Sequence, residues 1–231
     1  MKSELPKVLH PLLGKPLIQH VIDNIRQSGI DDITVVVGYK GEDVIREIGS
    51  SVKYVWQREQ LGTGHAVLQA EDGFRGFEGK VIVACGDAPF ISARSFSLLA
   101  AQMDDGAVKA SVLTMMQDNP TGYGRMLKDG QGHLVRIVEE KDASPEQKLI
   151  KEVNSGTYVF DSALLFEGLK KIGNNNAQKE YYLPDVLVYM ISKGFAVTTM
   201  PLPDPFEGTG VNSREELAAV EAALAERMGK K

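Results

Sequence analysis

Lys80-Val-Ile-Val-Ala-Cys-Gly-Asp-Ala-Pro-Phe90 is the stretch on which the reading of the fold turns. Val81 to Cys85 carry no charge and are rich in β-branched side chains; the run then stops at Gly86-Asp87 and Pro89. A short apolar run closed by turn residues reads as a strand buried on both faces. An acid placed where such a strand ends points into the crevice that open α/β sheets use for ligands. Asp87 is therefore a candidate metal ligand, with phosphates as the metal's further partners. Gly-Asp after a strand also serves as plain turn chemistry, and that alternative stands beside the first.

On the N-terminal side of this strand, elements alternate. Residues 1–10 read as loop. Leu17, Ile18, Val21, Ile22 and Ile25 share one helical face, with Pro16 suited to the first turn and Gly29 to the stop. Ile33–Val37 and Val52–Gln57 read as strands, Glu42–Ile48 and His65–Ala70 as helices, and Ala93–Met103 as the helix after the central strand. Such alternation predicts a parallel sheet with right-handed crossovers and helices on both faces. A doubly wound sheet normally opens with a strand before its first helix, and the sequence offers none there.

On the C-terminal side the texture changes. Ala110–Met116 and Val153–Phe160 read as strands, and Arg125–Leu127 and Leu134–Glu139 flank Asp129-Gly130 as a hairpin. Ala163–Lys171 and Tyr182–Lys193 read as helices, Gly173–Gln178 as polar loop and Ala196–Met200 as strand. Leu217, Val220, Leu224 and Met228 recur at helical spacing over Arg214–Arg227 and beyond, as core packing or a partner face. The expected architecture is a Rossmann-like, doubly wound, mostly parallel mixed α/β sheet lacking its first strand. It forms a single domain, with a nucleotide-binding half over about 1–105 and a sugar-binding half over about 106–231.

The chain of 231 residues is 43% hydrophobic and 25% charged, ordinary for a globular protein. A net charge of -5 speaks against a general nucleic-acid binder, though not against a local basic pocket for phosphates. The single Cys85 rules out a disulfide framework and fits a reducing compartment. No apolar stretch approaches the roughly 18 residues of a membrane span, and no signal peptide is evident. A cytoplasmic protein, with no membrane partner, is expected.

There is no Cys/His metal spacing, no Gly-x-Ser-x-Gly elbow and no Walker-type loop. What recurs instead is glycine beside small polar residues at predicted strand ends: Gly62-Thr63-Gly64, Gly86-Asp87, Gly122-Tyr-Gly124 and Asn154-Ser-Gly156. Glycine lets backbone N–H groups approach a nucleotide or phosphate closely.

Several further segments make the chain recognisable. They are Leu5-Pro-Lys-Val-Leu-His10, Gln57-Arg-Glu-Gln-Leu-Gly-Thr-Gly-His-Ala66, Gly86-Asp-Ala-Pro89 and Pro120-Thr-Gly-Tyr-Gly-Arg125. Ile137-Val-Glu-Glu-Lys-Asp142, Val153-Asn-Ser-Gly156, Asn174–Gln178, Glu180-Tyr-Tyr182 and Glu207-Gly-Thr-Gly-Val-Asn212 follow. Together they resemble the sugar-1-phosphate nucleotidyltransferases, most closely the uridyltransferase domain of bacterial N-acetylglucosamine-1-phosphate uridyltransferases. The likeness spans nearly the whole chain.

The resemblance implies roles position by position. Asp87 and Asn212 match the pair that binds Mg2+, leaving room for water and phosphates. Lys7 matches the lysine that faces the phosphates and stabilises charge as pyrophosphate departs. Gln57, Gly62 and Thr63 match positions around base and ribose, and Cys85 and Gly86 stand with Asp87 at the nucleotide. Gly124, Glu139 and Asn154 match the sugar side. The implied reaction joins UTP to N-acetylglucosamine-1-phosphate, giving UDP-N-acetylglucosamine for cell-wall peptidoglycan synthesis, in a possible homo-oligomer. The attacking phosphate is already ionised, so positioning and charge stabilisation suffice without a general base. His10 and His65 are accordingly read as structural.

Plainer readings compete. Lys7 is equally a solvated loop lysine, Glu139 part of an exposed charged run, and Asn174–Asn176 an ordinary loop. A noncatalytic nucleotide-sugar-binding module and a glucose-1-phosphate uridylyl- or thymidylyl-transferase stand as functional alternatives.

Members of this family begin with a strand and a loop ending Gly-x-Gly-Thr-Arg-Met, with Pro-Lys five and six residues after the Met. Pro6 and Lys7 stand at that spacing from Met1. The expectation is a chain without that strand, loop and arginine, and with little or no transferase activity. The strand would belong between Ile33–Val37 and Val81–Cys85, holding them about 10 Å apart, so direct pairing of those two would refute the placement. No hexapeptide repeats follow Glu215, so no β-helix acetyltransferase domain is expected.

Overall fold

The structure, a computed structural model, describes residues 5–210, 217 and 220–222. A 3-10 turn at Lys7–Leu9 leads into a small antiparallel pair, β1 (Pro11–Leu12) and β2 (Lys15–Pro16). α1 (Leu17–Gln27) follows, burying Leu17, Ile18, Val21 and Ile22, the face that the periodicity marks. β3 (Thr34–Val37), α2 (Gly41–Ile48) and β4 (Lys53–Trp56) form a parallel βαβ unit, with Thr34 opposite Lys53 and Val37 opposite Trp56. α3 (Thr63–Leu68), β5 (Lys80–Val83) and α4 (Ala93–Ala101) complete the first half.

The second half holds β6 (Val108–Met116), the hairpin β7 (Arg125–Lys128) and β8 (Leu134–Val138), β9 (Glu152–Asp161), α5 (Ser162–Leu169), α6 (Asp185–Ser192) and β10 (Ala196–Pro201). The main sheet runs β10-β6-β9-β7-β8, with β5 added against β9. β10 and β6 pair parallel; β6, β5 and β7 each pair antiparallel to β9. The sheet is mixed, as expected. Alternation of elements did not anticipate that β5 takes its partner from residues 152–161.

Helices cover both faces. On one, α5 and α6 bury Leu165, Val186 and Leu187 against Val81, Val112 and Phe160. On the other, Phe96 and Leu99 of α4 pack on Leu113, Val153 and Val159. Neighbouring residues of β5 and β9 thus serve opposite layers, as the period-two alternation of a strand requires. β3 and β4 pack instead with Ile18, Ile22 and Val44 of α1 and α2. Ile25 of α1 touches both this cluster and the α4 layer, joining the two parts.

Two expectations meet the structure directly. β3 and β5 belong to different sheets and are not paired, so the refuting case does not arise. The central run is less buried than its sequence suggests: Val81 is buried, Ile82 and Val83 are half-buried, and Cys85 lies beyond the strand and is exposed. Among the described residues β5 pairs only with β9, so no strand covers its other edge, and the ladder ends at Val83–Tyr158, before Cys85. The C-terminal helix falls mostly outside the described residues; within them, Val220 is buried beside Leu12 and Leu17.

Candidate active site

β9 is the element that builds the site. One edge of it pairs with β5 over Tyr158–Asp161 and with β7 at Val153, so two different strands share one edge. Between them lies a bulge: two steps along β6, Val112 to Thr114, correspond to four along β9, Tyr158 to Asn154. Gly156 sits there at φ +78, where a Cβ would also come within 2.8 Å of Cys85 Sγ. Both the backbone conformation and the contact call for glycine. Asn154 closes the bulge, its Oδ1 accepting from Gly156 N at 2.9 Å and its Nδ2 donating to the Tyr158 hydroxyl at 2.6 Å. Its own backbone N–H donates to Gly124 O at 2.9 Å, tying the start of the β7–β8 hairpin to the same point.

The C-terminal end of β5 opens into this fork. Cys85 Sγ donates to Gly156 O at 3.5 Å. Crowding by protein atoms and the charge of Asp87 push its thiol upward, so it is a neutral lining group rather than a nucleophile, although its surface reaches solvent. Gly86 rests against Val8 and Ile18, which brings the first turn of the chain onto the strand end. Lys7 and Asp87, eighty residues apart, form an ion pair there, with side chains about one-third exposed. Asn24 of α1 holds the following loop through Pro89 O at 3.1 Å and Ile91 O at 2.9 Å. Ser92 caps α4, and the Glu207 carboxylate accepts from Ser92 N at 2.9 Å and Oγ at 3.1 Å. The segment that leads to Asn212 is thereby fixed at 207; Asn212 itself lies outside the described residues.

Asp87 offers hard carboxylate oxygens, open to solvent and beside a cation. Mg2+ takes one or two carboxylates and fills its shell with water and phosphate oxygens, so this donor fits. Among the described residues no cluster of three His, Cys, Asp or Glu is arranged to hold a metal alone.

The loop after β4 turns at Gly62, φ +109, where a Cβ would fall 2.6 Å from Tyr181 O. Gln57 Nε2 donates to Gly62 O at 3.0 Å and lies 3.1 Å from His65 Nδ1. Thr63 Oγ1 accepts from Leu183 N at 3.0 Å. His65 is held between Gln57 and Gln69, in keeping with a structural role.

Glu139 follows β8, with its Oε1 about 3.1 Å from where a Cβ on Gly124 would stand. Burial, then the charges of Asp185 and Asp142, hold its carboxyl above the usual range. It lines a cavity of about 250 Å³ with Arg136, Asp142, Tyr182 and Asp185. A larger cavity, about 510 Å³, opens between the residues before β5 and the start of α5, lined by Phe74, Phe77 and Phe166. None of the sequence-predicted site residues reaches it, so its size does not decide the site.

The profile of the nucleotidyl transferase family matches residues 2–205. The chain belongs to that family. Its curated relatives include the bifunctional protein GlmU of Oceanobacillus iheyensis, 46% identical over 228 residues, covering 99% of this chain and 50% of the relative. The bifunctional protein GlmU of Alkaliphilus oremlandii is 47% identical over 231 residues, covering 100% and 50%. The chain spans about half the length of these relatives. A solved Bacillus anthracis structure, described as a glucose-1-phosphate thymidylyltransferase in complex with a sucrose, superposes with TM-score 0.72 at 21% identity. It covers 94% of this chain and 85% of its own, a likeness of fold.

Within this nucleotidyl transferase, Lys7, Cys85, Gly86 and Asp87 gather at one side of the fork, Gly124, Glu139 and Asn154 at the other, and Gln57, Gly62 and Thr63 on the adjoining loop. Sequence reasoning assigned no role to Arg125, Glu140, Asp142 or Tyr182. Arg125 is 1% exposed and donates to Tyr123 O and to Glu140 Oε2 at 2.6 Å; the same oxygen accepts from Gly122 N at 3.2 Å. That pair, with its arginine buried and its carboxylate partly exposed, fixes the turn carrying Gly124. An arginine immediately after the Gly122-Tyr-Gly124 turn was the available signal.

Proposed function

We propose that the chain carries the sites for transferring a uridylyl group from UTP to N-acetylglucosamine-1-phosphate, forming UDP-N-acetylglucosamine and pyrophosphate with Mg2+, at the low turnover expected of residues 1–231. The observation that carries this reading is the β9 fork. The strand end that carries the Lys7–Asp87 pair meets the bulge through Cys85, and the Asn154–Gly124–Glu139 group meets it through Asn154.

In this reading Asp87, with Asn212 proposed beside it, holds the magnesium, which when bound draws phosphate oxygens together and offsets their charge. An oxygen of the sugar phosphate attacks the α-phosphorus in line; the bond from that phosphorus to the bridging oxygen breaks, and pyrophosphate leaves with the electron pair. Lys7 places an ammonium where negative charge grows on the leaving group. Gln57, Gly62 and Thr63 frame base and ribose. Glu139 accepts from a sugar hydroxyl, and the acetamido group pairs with Asn154. No side chain need take a proton, because the attacking phosphate is an anion. The enzyme so described works in the cytoplasm, on small phosphorylated substrates rather than nucleic acid or membrane.

The test combines turnover with binding. The chain is incubated with UTP, N-acetylglucosamine-1-phosphate and Mg2+, and pyrophosphate is measured; UTP and UDP-N-acetylglucosamine are titrated by calorimetry. Pyrophosphate release that requires the sugar phosphate supports the proposal. Binding without release supports the noncatalytic reading, and a preference for dTTP or glucose-1-phosphate moves the substrate assignment to the related branch. Neither binding nor release overturns it.

A further inference from the structure

The segment between α5 and α6 touches both sides of the site, and one carboxylate holds it. Asn176 folds the segment on itself: its Oδ1 accepts from Gln178 N at 3.2 Å and Glu180 N at 3.1 Å, and its Nδ2 donates to Glu180 O at 2.6 Å. The far end locks onto the nucleotide-side loop. Tyr181 N donates to Leu61 O at 2.8 Å, Gly64 N donates to Tyr181 O at 2.8 Å, and Leu183 N donates to Thr63 Oγ1 at 3.0 Å. The near end is gripped by Asp142: Oδ1 accepts from Ala177 N at 2.8 Å and Oδ2 from the Tyr182 hydroxyl at 3.3 Å. Asp142 N in turn donates to Glu139 O at 2.9 Å, so the gripping residue and the sugar-side carboxylate share one turn.

We propose that Asp142 is a positioning residue, holding 174–183 as a rigid strap that sets the Gly62–Gly64 loop against the Glu139 pocket. Tyr182 is 8% exposed and Asp142 is exposed, so their bond lies at the wall of the cavity beside Glu139. The carboxylate accepts from both groups; an asparagine would still accept from Ala177 N and could donate to a Tyr182 hydroxyl turned round to accept, so removing the grip takes Asp142→Ala. The substrate consequence rests on the proposed function above, while the mechanical linkage between residues 142 and 64 does not.

Amide hydrogen exchange on the intact chain separates the two. In Asp142→Ala, the amides of Gly64 and Tyr181 are expected to exchange about tenfold faster, the factor set by losing a hydrogen bond to a charged group. Exchange along the β6–β9 ladder should stay unchanged. Tyr182→Phe, which keeps the carboxylate and its bond to Ala177, should give a smaller acceleration at the same two amides. UTP affinity should fall several-fold in Asp142→Ala and less in Tyr182→Phe, in step with exchange rather than with thermal stability. Acceleration confined to Ala177, with Gly64 at its wild-type rate, overturns the proposal. If Asp142→Ala loses ladder protection through misfolding, Tyr182→Phe decides, and wild-type exchange at both amides there also overturns it. A wild-type chain that binds no UTP defeats the functional reading alone, since the exchange result stands without ligand.

Discussion

Along β6 and β9, residues 110–114 together with Thr157, Val159 and Phe160 have no exposed surface. In the β3–β4 pair only Val37 is buried; Thr34 to Val36 and Tyr54 to Trp56 are half-buried. The contrast follows from what covers each. β9 has strands on both edges and helices on both faces, whereas β3 and β4 share one ladder and pack against α1 and α2. The site straddles the difference. Asn154 stands half-buried on β9 and Glu139 just past the edge strand β8, while Gln57 follows directly from β4. In the proposed reading, the Gln57–Gly64 loop draws its order from the strap that Asp142 holds.

The largest effect should come from the β9 core. Phe160→Ala removes a fully buried ring and should cost about 3–5 kcal/mol in urea unfolding, against about 1 kcal/mol or less for Val36→Ala on half-buried β3. Equal costs would break the comparison.

A smaller effect concerns pH. Glu139 is held above its ordinary value of 4.5 by burial and by Asp185, Asp142 and Glu180, with Arg125 opposing. Between the ordinary and the raised value the folded chain holds a proton that the unfolded chain has released. Stability from this group is therefore full below the ordinary value and lost as pH rises through the raised one. Glu139→Gln should flatten that decline, leaving the share due to Asp185, whose carboxyl is also held up by burial. Urea midpoints across mildly acidic pH check it; an unchanged slope would place Glu139 in solvent, as its charged run first suggests.

The elements were legible because their signals are local. The helical face of α1, the β-branched runs of β3 and β5 and the turn at Asp129-Gly130 each depend on neighbours a few residues away. The β5–β9 ladder was not, because Val83 meets Tyr158 seventy-five positions on, and no local pattern encodes that choice. Lys7 beside Asp87 came from family resemblance and not from periodicity. Asp142 was hidden for a physical reason. A carboxylate inside Glu139-Glu-Lys-Asp142 looks solvated in sequence, and only the fold shows two donors converging on it.

The central claim is that Asp87 serves the nucleotide's metal while Glu139 serves the sugar across the β9 bulge. It is tested most directly by UTP titrations with and without Mg2+, on the wild-type chain, Asp87→Ala and Glu139→Gln. Mg2+ should tighten UTP binding at least about tenfold in the wild type and in Glu139→Gln, and leave it unchanged in Asp87→Ala. A full Mg2+ gain in Asp87→Ala, or its loss in Glu139→Gln, would contradict that division.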